Sequence, residues 1–334
     1  MFSRPRRLSP DTVTRVTEVA RELGYEPRRY AGRRQTGLHV GYLQPRTEYI
    51  DLINDTWARA AAAMGLAAAR QGHRYYAFGS NPEQPDGDIK VLKRELALGQ
   101  LNAVVFTDPR YDDEDPRIQF LNERSVPFVV WGRQRETTGY NWVDDDDETA
   151  IADHVGRFID LGHRVIAHLG FATQLDGLTG EGGVDDSGPP YRRAAGYRRA
   201  MARGRLTPVE RVIAYDTLLD DDRTVATITD LLEERVQGER VTAVVADSDW
   251  YAIMVQSVMN RLRRPASDNV EVAGIDDMTV RRILPQPFAS MRCDYLRLAD
   301  RALWLLQRSL TDIRSVDHSL TRYELVEPPA APQG

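Results

Sequence analysis

"DDETAIADHVGRFIDLGHRVIAHLG", residues 146–170, joins a run of acids to a helical stretch and then to a short apolar run closed by glycine. Its spacing predicts a helix over 147–161, with carboxylates at the N-terminus where they complement the helix dipole, and a strand in RVIAHLG. The same alternation runs upstream: LHVGYL, helix 49–71, HRYYAFGS, helix 87–98, NAVVFTD, helix 114–124 and VPFVVWGR. Downstream it continues with helix 190–203, ERVIAYD, helix 221–236, TAVVAD, helix 249–263 and NVEVAGID, then a helix over 295–310 and a strand near 319–326. Short apolar strands alternating with long helices give a parallel sheet covered on both faces. The quoted stretch is where the alternation starts again, so the chain holds two α/β units of similar size. The expected fold class is therefore α/β, with two doubly wound parallel-sheet subdomains and a ligand crevice at the carboxyl ends of their strands.

A length of 334 residues agrees with two cores rather than one. Apolar residues make up 42% and charged residues 28%, an ordinary globular balance, and no apolar run approaches the roughly 20 residues of a bilayer span. With no apolar leader and a single Cys293, which cannot close an intrachain disulfide, a reducing cytoplasm is the expected location and no membrane partner is expected. The net charge of −6 is unevenly placed: residues 1–37 hold nine Arg against Asp11, Glu18, Glu22 and Glu26, a local +5, leaving −11 for the rest. Such a basic head on an acidic body suggests a polyanion-facing module attached to a body that does not itself bind nucleic acid.

Phosphate-cradle, serine-hydrolase, zincin and dinucleotide fingerprints are all missing from the sequence, so an enzyme is not expected and no cofactor is assigned. The six histidines lack metal-ligand spacing and read as surface or cap residues. The acidic runs Asp112–Asp115, Asp144–Asp147 and Asp220–Asp222 lack the alternation of a calcium loop, and helix N-terminal charge or solvated faces account for them. No metal site is expected. Cys293 reads as a packed thiol, Trp142 and Trp250 as candidates to line the crevice opening, and Trp304 as part of a helix packed on the body.

Ahead of the first unit, "SPDTVTRVTEVARELGYEP" (9–27) reads as one amphipathic helix: Ser9 caps it, Pro10 opens it, a valine stripe follows and Gly24 stops it. One short helix is marginal without something to bury its stripe against. Residues that would cover it are expected upstream or on a partner.

Several stretches together resemble the lactose-repressor (LacI-type) family of transcriptional regulators. LGHRxIAxxG in the opening stretch, "SPDTVTRVTEVARELGYEP", "VPFVVWGR", "RRAAGYRRAM", "ADSDWYA" and "VEVAGIDD" fall in the family's order over roughly residues 5–326. The resemblance implies a periplasmic-binding-protein-like clamshell. It divides the chain into a truncated headpiece at 1–27, a hinge at 28–37 and an effector-binding body at 38–330. Within the body, the N-subdomain is about 38–163 plus 292–318 and the C-subdomain about 164–291 plus 319–330.

The resemblance also implies effector contacts. An Arg from the RxxGY helix and an Asp from the S/N-D turn correspond to Arg193 and Asp249, and guanidinium and carboxylate groups suit the hydroxyls of a sugar-like metabolite. Arg193 also reads as a solvated helix charge, a role that fits Arg192 better. Tyr49 after the first strand, Arg133 at the end of VPFVVWGR and Asp276 of the Asp pair are further candidates, with Asp276 equally suited to holding its own loop.

Two departures stand out. The family's helix-turn-helix reader lies upstream of the helix at 10–23 and is absent from this sequence, and residues 28–36, RRYAGRRQT, hold no leucine to wedge into a minor groove. Arg28, Arg29, Arg33 and Arg34 suit phosphate contacts, and Tyr30 is the bulky candidate for a wedge. The loop "FATQLDGLTGEGGVDDSGPP" (171–190) is longer and richer in Gly and Asp than the family pattern. The expectation is a homodimeric, ligand-responsive regulator whose DNA operator is read by a complete headpiece, with in-frame codons for about 20 residues upstream of Met1. The alternatives are a DNA-less sensor acting through protein partners and an enzyme on the same scaffold.

Overall fold

The computed structural model describes Arg15 and residues 37–44, 56–79, 87–107, 115–133, 139–172, 188–214, 222–262, 270–312 and 315–328. Tyr49, the headpiece helix apart from Arg15, the hinge residues Arg28, Arg29, Tyr30, Arg33 and Arg34, and positions 173–187 of the long loop lie outside them.

The first half is built from β1 (His39–Leu43), α1 (Thr56–Arg70), β2 (Arg74–Phe78), α2 (Gly87–Ala97), β3 (Ala103–Thr107), α3 (Pro116–Glu123), β4 (Phe128–Trp131) and β5 (Asn141–Asp145). The second runs through α4 (Asp147–Asp160), β6 (Ile166–Ala172), α5 (Pro189–Gly204), β7 (Val209–Ala214), α6 (Asp222–Glu233), β8 (Arg235–Val236), β9 (Glu239–Arg240), β10 (Ala243–Ala246), α7 (Asp249–Arg261), β11 (Glu271–Ile275), a 3-10 turn (Thr279–Ile283) and β12 (Ala289–Arg292). The chain then returns through α8 (Tyr295–Thr311) and β13 (His318–Thr321) and finishes in β14 (Glu324–Val326). Two six-stranded sheets result, ordered β13-β5-β4-β3-β1-β2 and β14-β12-β11-β10-β6-β7. Every neighbouring pair in them is parallel except β12 with β14. Both sheets reverse strand order beside their first strand, and such a switch point opens a crevice at the carboxyl ends.

Central strands such as AVVFT of β3 and AVVA of β10 are buried throughout, as strands covered on both faces must be. α1 buries Ala60, Met64, Ala67 and Ala68, a stripe of mostly small residues that lets it lie close to the first sheet. In the second half, Ala150, Ile151, Val155 and Phe158 of α4 meet Tyr197 and Met201 of α5 and Val245, Ala273 and Ile275 of the sheet. Burying a Phe158 or Ile151 side chain contributes roughly 1.5–3 kcal/mol, and that burial decides where α4 belongs.

Several sequence expectations change here. α4 was expected with the first subdomain, ending at 163, but its apolar face completes the second core. The strand near 319–326 is two strands: β13 extends the first sheet beside β5, and β14 turns back antiparallel to β12 in the second. Helix 221–236 ends at Glu233, because Arg235–Arg240 form a hairpin whose turn needs positive φ at Gln237 (53°) and Gly238 (89°). The sequence pattern gives no sign of β5 or β12, since the acids of NWVDD and Ser290 and Arg292 of ASMR break their apolar runs. The chain therefore passes between the halves three times, at 145–147, 292–295 and 321–324.

His154 and His168 are buried rather than superficial. His154 Nε2 lies 2.8 Å from the Gly274 carbonyl, which only accepts, so Nε2 carries the proton. Burial pulls its pKa from 6.5 down to about 4, and the nearby Arg157 and Arg281 add to the fall against that hydrogen bond. A depressed folded-state pKa stabilises fully above pH 6.5 and loses that contribution as pH falls toward 4, worth about 3 kcal/mol. His154→Gln, which keeps an N–H donor, is expected to flatten the stability profile between those pH values. Chemical unfolding of both proteins at pH 7 and pH 4.5 measures it, and equal acid sensitivity would refute it.

Candidate functional site

The three passages between the halves meet at one cluster of charges. β5 ends in Asp144 and Asp145, Asp146 caps α4 through the Thr149 N–H, and its own N–H donates to the Thr321 carbonyl at 2.9 Å. Cys293, after β12, donates from Sγ to Asp145 Oδ1 at 3.1 Å. Tyr323, between β13 and β14, donates to Asp147 Oδ1 at 3.3 Å.

α5 delivers two arginines to the same place. It opens with Pro189 and Pro190, and its first turns carry Arg192 and Arg193. Arg193 Nε donates to Asp147 Oδ1 at 2.8 Å and Nη1 to the Asp247 carbonyl at 2.5 Å. Arg192 Nη2 lies 3.1 Å from both Asp147 Oδ2 and Asp144 Oδ2, and Arg133 Nε lies 3.2 Å from Asp144 Oδ2. Arg133, Asp144, Arg192, Asp147 and Arg193 thus alternate in sign from the first half to the second. Arg192, read from sequence as a solvated charge, is a buried member of this chain. Of the acids 144–147, Asp146 and Asp147 open α4 as helix N-terminal charge, while Asp144 and Asp147 form the negative links of this chain and are buried rather than solvated.

Burial pushes Asp144 up to about 6, Asp147 adds to the rise, and Arg192 and Arg133 oppose it. Burial also raises Asp145 well above the carboxylate range, with the charges of Asp144 and Asp147 adding. Burial alone would lift Asp147 too, but Arg193 and Arg192 outweigh it and hold this carboxyl low. Arg193 is held well above its ordinary value because Asp147, Tyr323, Asp247 and Asp276 overcome the cost of its burial.

On the facing side, β11 delivers Asp276 and Asp277 at φ of +108° and +48°, a region that L residues seldom adopt. Asp277 accepts from Arg281, Arg282 and Arg292 and takes the loop-holding role. Asp276 is the member of the pair whose charge acts on Arg193, Asp249, Cys293 and Tyr295, which places its carboxylate in the cluster. Asp249 is fully buried, with Oδ1 accepting from Ser290 Oγ at 2.6 Å and Oδ2 from the Met278 N–H at 2.7 Å. Burial and the Asp276 charge raise its pKa well above the usual range. As placed, Asp249 supports the Asp276 turn from beneath and does not present an edge to the crevice.

Of the sequence candidates, Arg193, Asp249 and Asp276 come together, and Arg133 joins them through Asp144 and Arg192. Trp142 does not line the opening: it is core, stacked on His318 at 4.7 Å. Trp250 packs against the second core. Cys293 is buried as expected. Asp144, Asp145, Asp147, Arg192, Tyr295 and Tyr323 were missed as site residues. Acids at the C-terminal end of a parallel strand were the available signal for the first two. Among the described residues no group of His, Cys, Asp and Glu is arranged to hold a metal ion, and no helix is long and apolar enough to cross a membrane.

Two doubly wound units joined by three crossings, with a charged crevice between them, define a periplasmic-binding-protein-like clamshell. The chain belongs to the family of periplasmic binding protein-like domains, whose pattern it matches over residues 155–327. Its relatives bear out the lactose-repressor-type likeness. It is 27% identical to the HTH-type transcriptional regulator AglR of Rhizobium meliloti, over 89% of this chain and 80% of that one. It is 26% identical to the HTH-type transcriptional regulator CelR of Thermobifida fusca, over 85% and 79%. Among solved structures it is similar to a LacI-family regulatory protein from Chloroflexus aggregans, with a TM-score of 0.70 and 23% identity over 87% of this chain and 98% of that one. It also resembles a CelR–cellobiose complex, with a TM-score of 0.69 and 22% identity over 98% and 92%.

Proposed function

We propose that this protein is a ligand-responsive transcriptional regulator of repressor type, in which a sugar or similar hydroxylated metabolite binds in the crevice and changes DNA binding. The observation that carries the site assignment is Arg193: its guanidinium is oriented by Asp147 and the Asp247 carbonyl where the crossings between the halves meet, and the Asp276 charge acts on it. A preorganised guanidinium and a carboxylate bind adjacent hydroxyls with little loss of side-chain freedom. Asp249 secures the turn that carries Asp276, Arg133 sets the far end of the ion-pair chain, and Tyr49 is assigned an effector contact from its sequence position alone. The relatives are regulators, and the proposed role is sensing rather than catalysis, as a cytoplasmic homodimer. Effector closure would shift the population competent to bind an operator. Arg28, Arg29, Arg33 and Arg34 are assigned to phosphates and Tyr30 to the hinge; operator affinity should fall steeply with salt, less so once these arginines are removed.

Calorimetric titration of the full chain with a panel of mono- and disaccharides, cellobiose included, tests the site. Arg193→Ala and Asp276→Asn are each expected to weaken the sugar that binds by about 10- to 100-fold, the equivalent of one or two charged hydrogen bonds. A sugar bound equally well by both variants would remove the assignment.

A further inference from the structure

One contact across the crevice belongs to none of the ion pairs above. Arg59 projects from α1 in the first half, and its two terminal nitrogens donate to consecutive carbonyls of the second: Nη1 to Asp276 at 2.6 Å and Nη2 to Asp277 at 3.2 Å. Its guanidinium lies 5.4 Å from the ring centroid of Tyr295, at the start of α8. The turn it grips has consecutive positive φ values, and the holds on it from the second half are equally specific. The Asp276 N–H donates to the Met291 carbonyl at 2.8 Å, the Asp277 N–H to Ser290 Oγ at 3.0 Å and the Met278 N–H to Asp249 at 2.7 Å.

The direction of the Asp276 side chain follows from the two peptide planes that flank its Cα. The plane before Asp276 is fixed by its N–H on Met291, and the plane after it by its carbonyl on Arg59. A residue at φ +108° keeps that conformation only where its surroundings over-determine it. The guanidinium fork suits two neighbouring oxygens, whereas an ammonium has no fixed fork.

We propose that Arg59 is a positioning residue of the crevice: by clasping the Asp276 and Asp277 carbonyls from the opposite half, it sets both the spacing of the halves and the aim of the Asp276 carboxylate. Its relevance to sensing rests on the crevice being the effector site. Its geometric content does not, so it is tested without any sugar. The full chain carries spin labels at Ala97→Cys in α2 and Asn260→Cys in α7, both exposed positions, in a Cys293→Ser background, and the inter-label distance distribution is read by pulsed electron resonance. Arg59→Ala is expected to broaden the distribution and move its mean outward, with the melting temperature close to that of the parent. Arg59→Lys, which keeps charge and stem but not the fork, should fall between, and it carries the test alone should the alanine variant not fold. A lysine or alanine distribution superimposable on the parent's would overturn the proposal.

Discussion

Asp277→Ala is expected to destabilise the second half by about 3–5 kcal/mol, the usual cost of stripping a buried ion of its partner. For a unit of 150–250 residues that is a melting-temperature fall of about 6–20 °C. The reason is Arg281, whose side chain is fully buried and whose Nε and Nη2 both bond Asp277 Oδ1, at 3.0 and 2.5 Å. Its Nη1 reaches the Phe288 carbonyl at 2.6 Å, so the guanidinium is anchored and cannot swing out to water without breaking that bond too. Arg282 and Arg292 also reach Asp277, but both are considerably exposed and their pairing contributes little. Burial would raise the Asp277 carboxyl, but Arg292, Arg281 and Arg282 hold it below its ordinary value. Its contribution is therefore present above the unfolded carboxylate pKa of about 4 and is lost as pH falls through the lower folded value. Denaturant unfolding at pH 7 measures the effect, and a loss under 1 kcal/mol would show that Asp249, whose Oδ2 already lies 3.8 Å from Arg281 Nε, suffices as its partner.

Gly196→Ala is expected to cost about 3 kcal/mol or more, at the upper end of overpacking changes, and to reduce the yield of folded protein. A Cβ built at Gly196 would lie 2.1 Å from the Glu148 carbonyl oxygen and 2.9 Å from its carbon, and both are main-chain atoms of α4. No rotamer relieves such a clash. α5 would have to lift off α4, and the lift would separate Arg192 and Arg193 from Asp147. Both stability and sugar binding should therefore fall. Gly156→Ala, in α4 itself but with nothing within 4 Å of the new methyl, is the control and should be neutral or stabilising by about 0.4–1 kcal/mol. Thermal unfolding of the two variants side by side decides the matter, since similar losses in both would show that the Glu148 contact is not the source of the cost.

Much of the architecture was legible because the apolar runs and helical stretches are long and punctuated. LHVGYL, NAVVFTD, TAVVAD and NVEVAGID all fall on central parallel strands, where burial on both faces writes itself into composition. The elements that local pattern does not carry are either short or charged. β5 was hidden because its last two residues are acids, and they are acids because that strand end faces the crevice. The split of the final strand into β13 and β14 depends on partners more than 170 residues upstream and on β12, and local pattern carries no trace of such pairings. By motif the sequence pointed to Arg193, Asp249 and Asp276 as candidates, which the fold brings together, but not to their division of labour. Which member of the Asp pair holds the turn, and whether Arg192 is solvated or buried, follow from where α4 and the 3-10 turn bring their charges. Those placements are tertiary.

The return of the chain through α8 and β13 has a consequence for how the molecule is made. The first half's core includes Leu298, Ala302, Leu303 and Leu306, its sheet gains β13 beside β5, and Asn141 of β5 donates to Ser309 of α8 at 2.9 Å. A nascent chain that has emerged from the ribosome through α7 therefore still exposes an unfinished first half, although every one of its first five strands has already been synthesised. Domains usually fold in order of synthesis, but here the N-terminal half must wait for residues near the end, and an open sheet edge beside β5 is exposed meanwhile. Ribosome-bound intermediates of this protein should accordingly recruit holdase chaperones until about Thr321 is released, and synonymous changes that slow translation between α7 and β13 should lower soluble yield more than the same changes placed earlier.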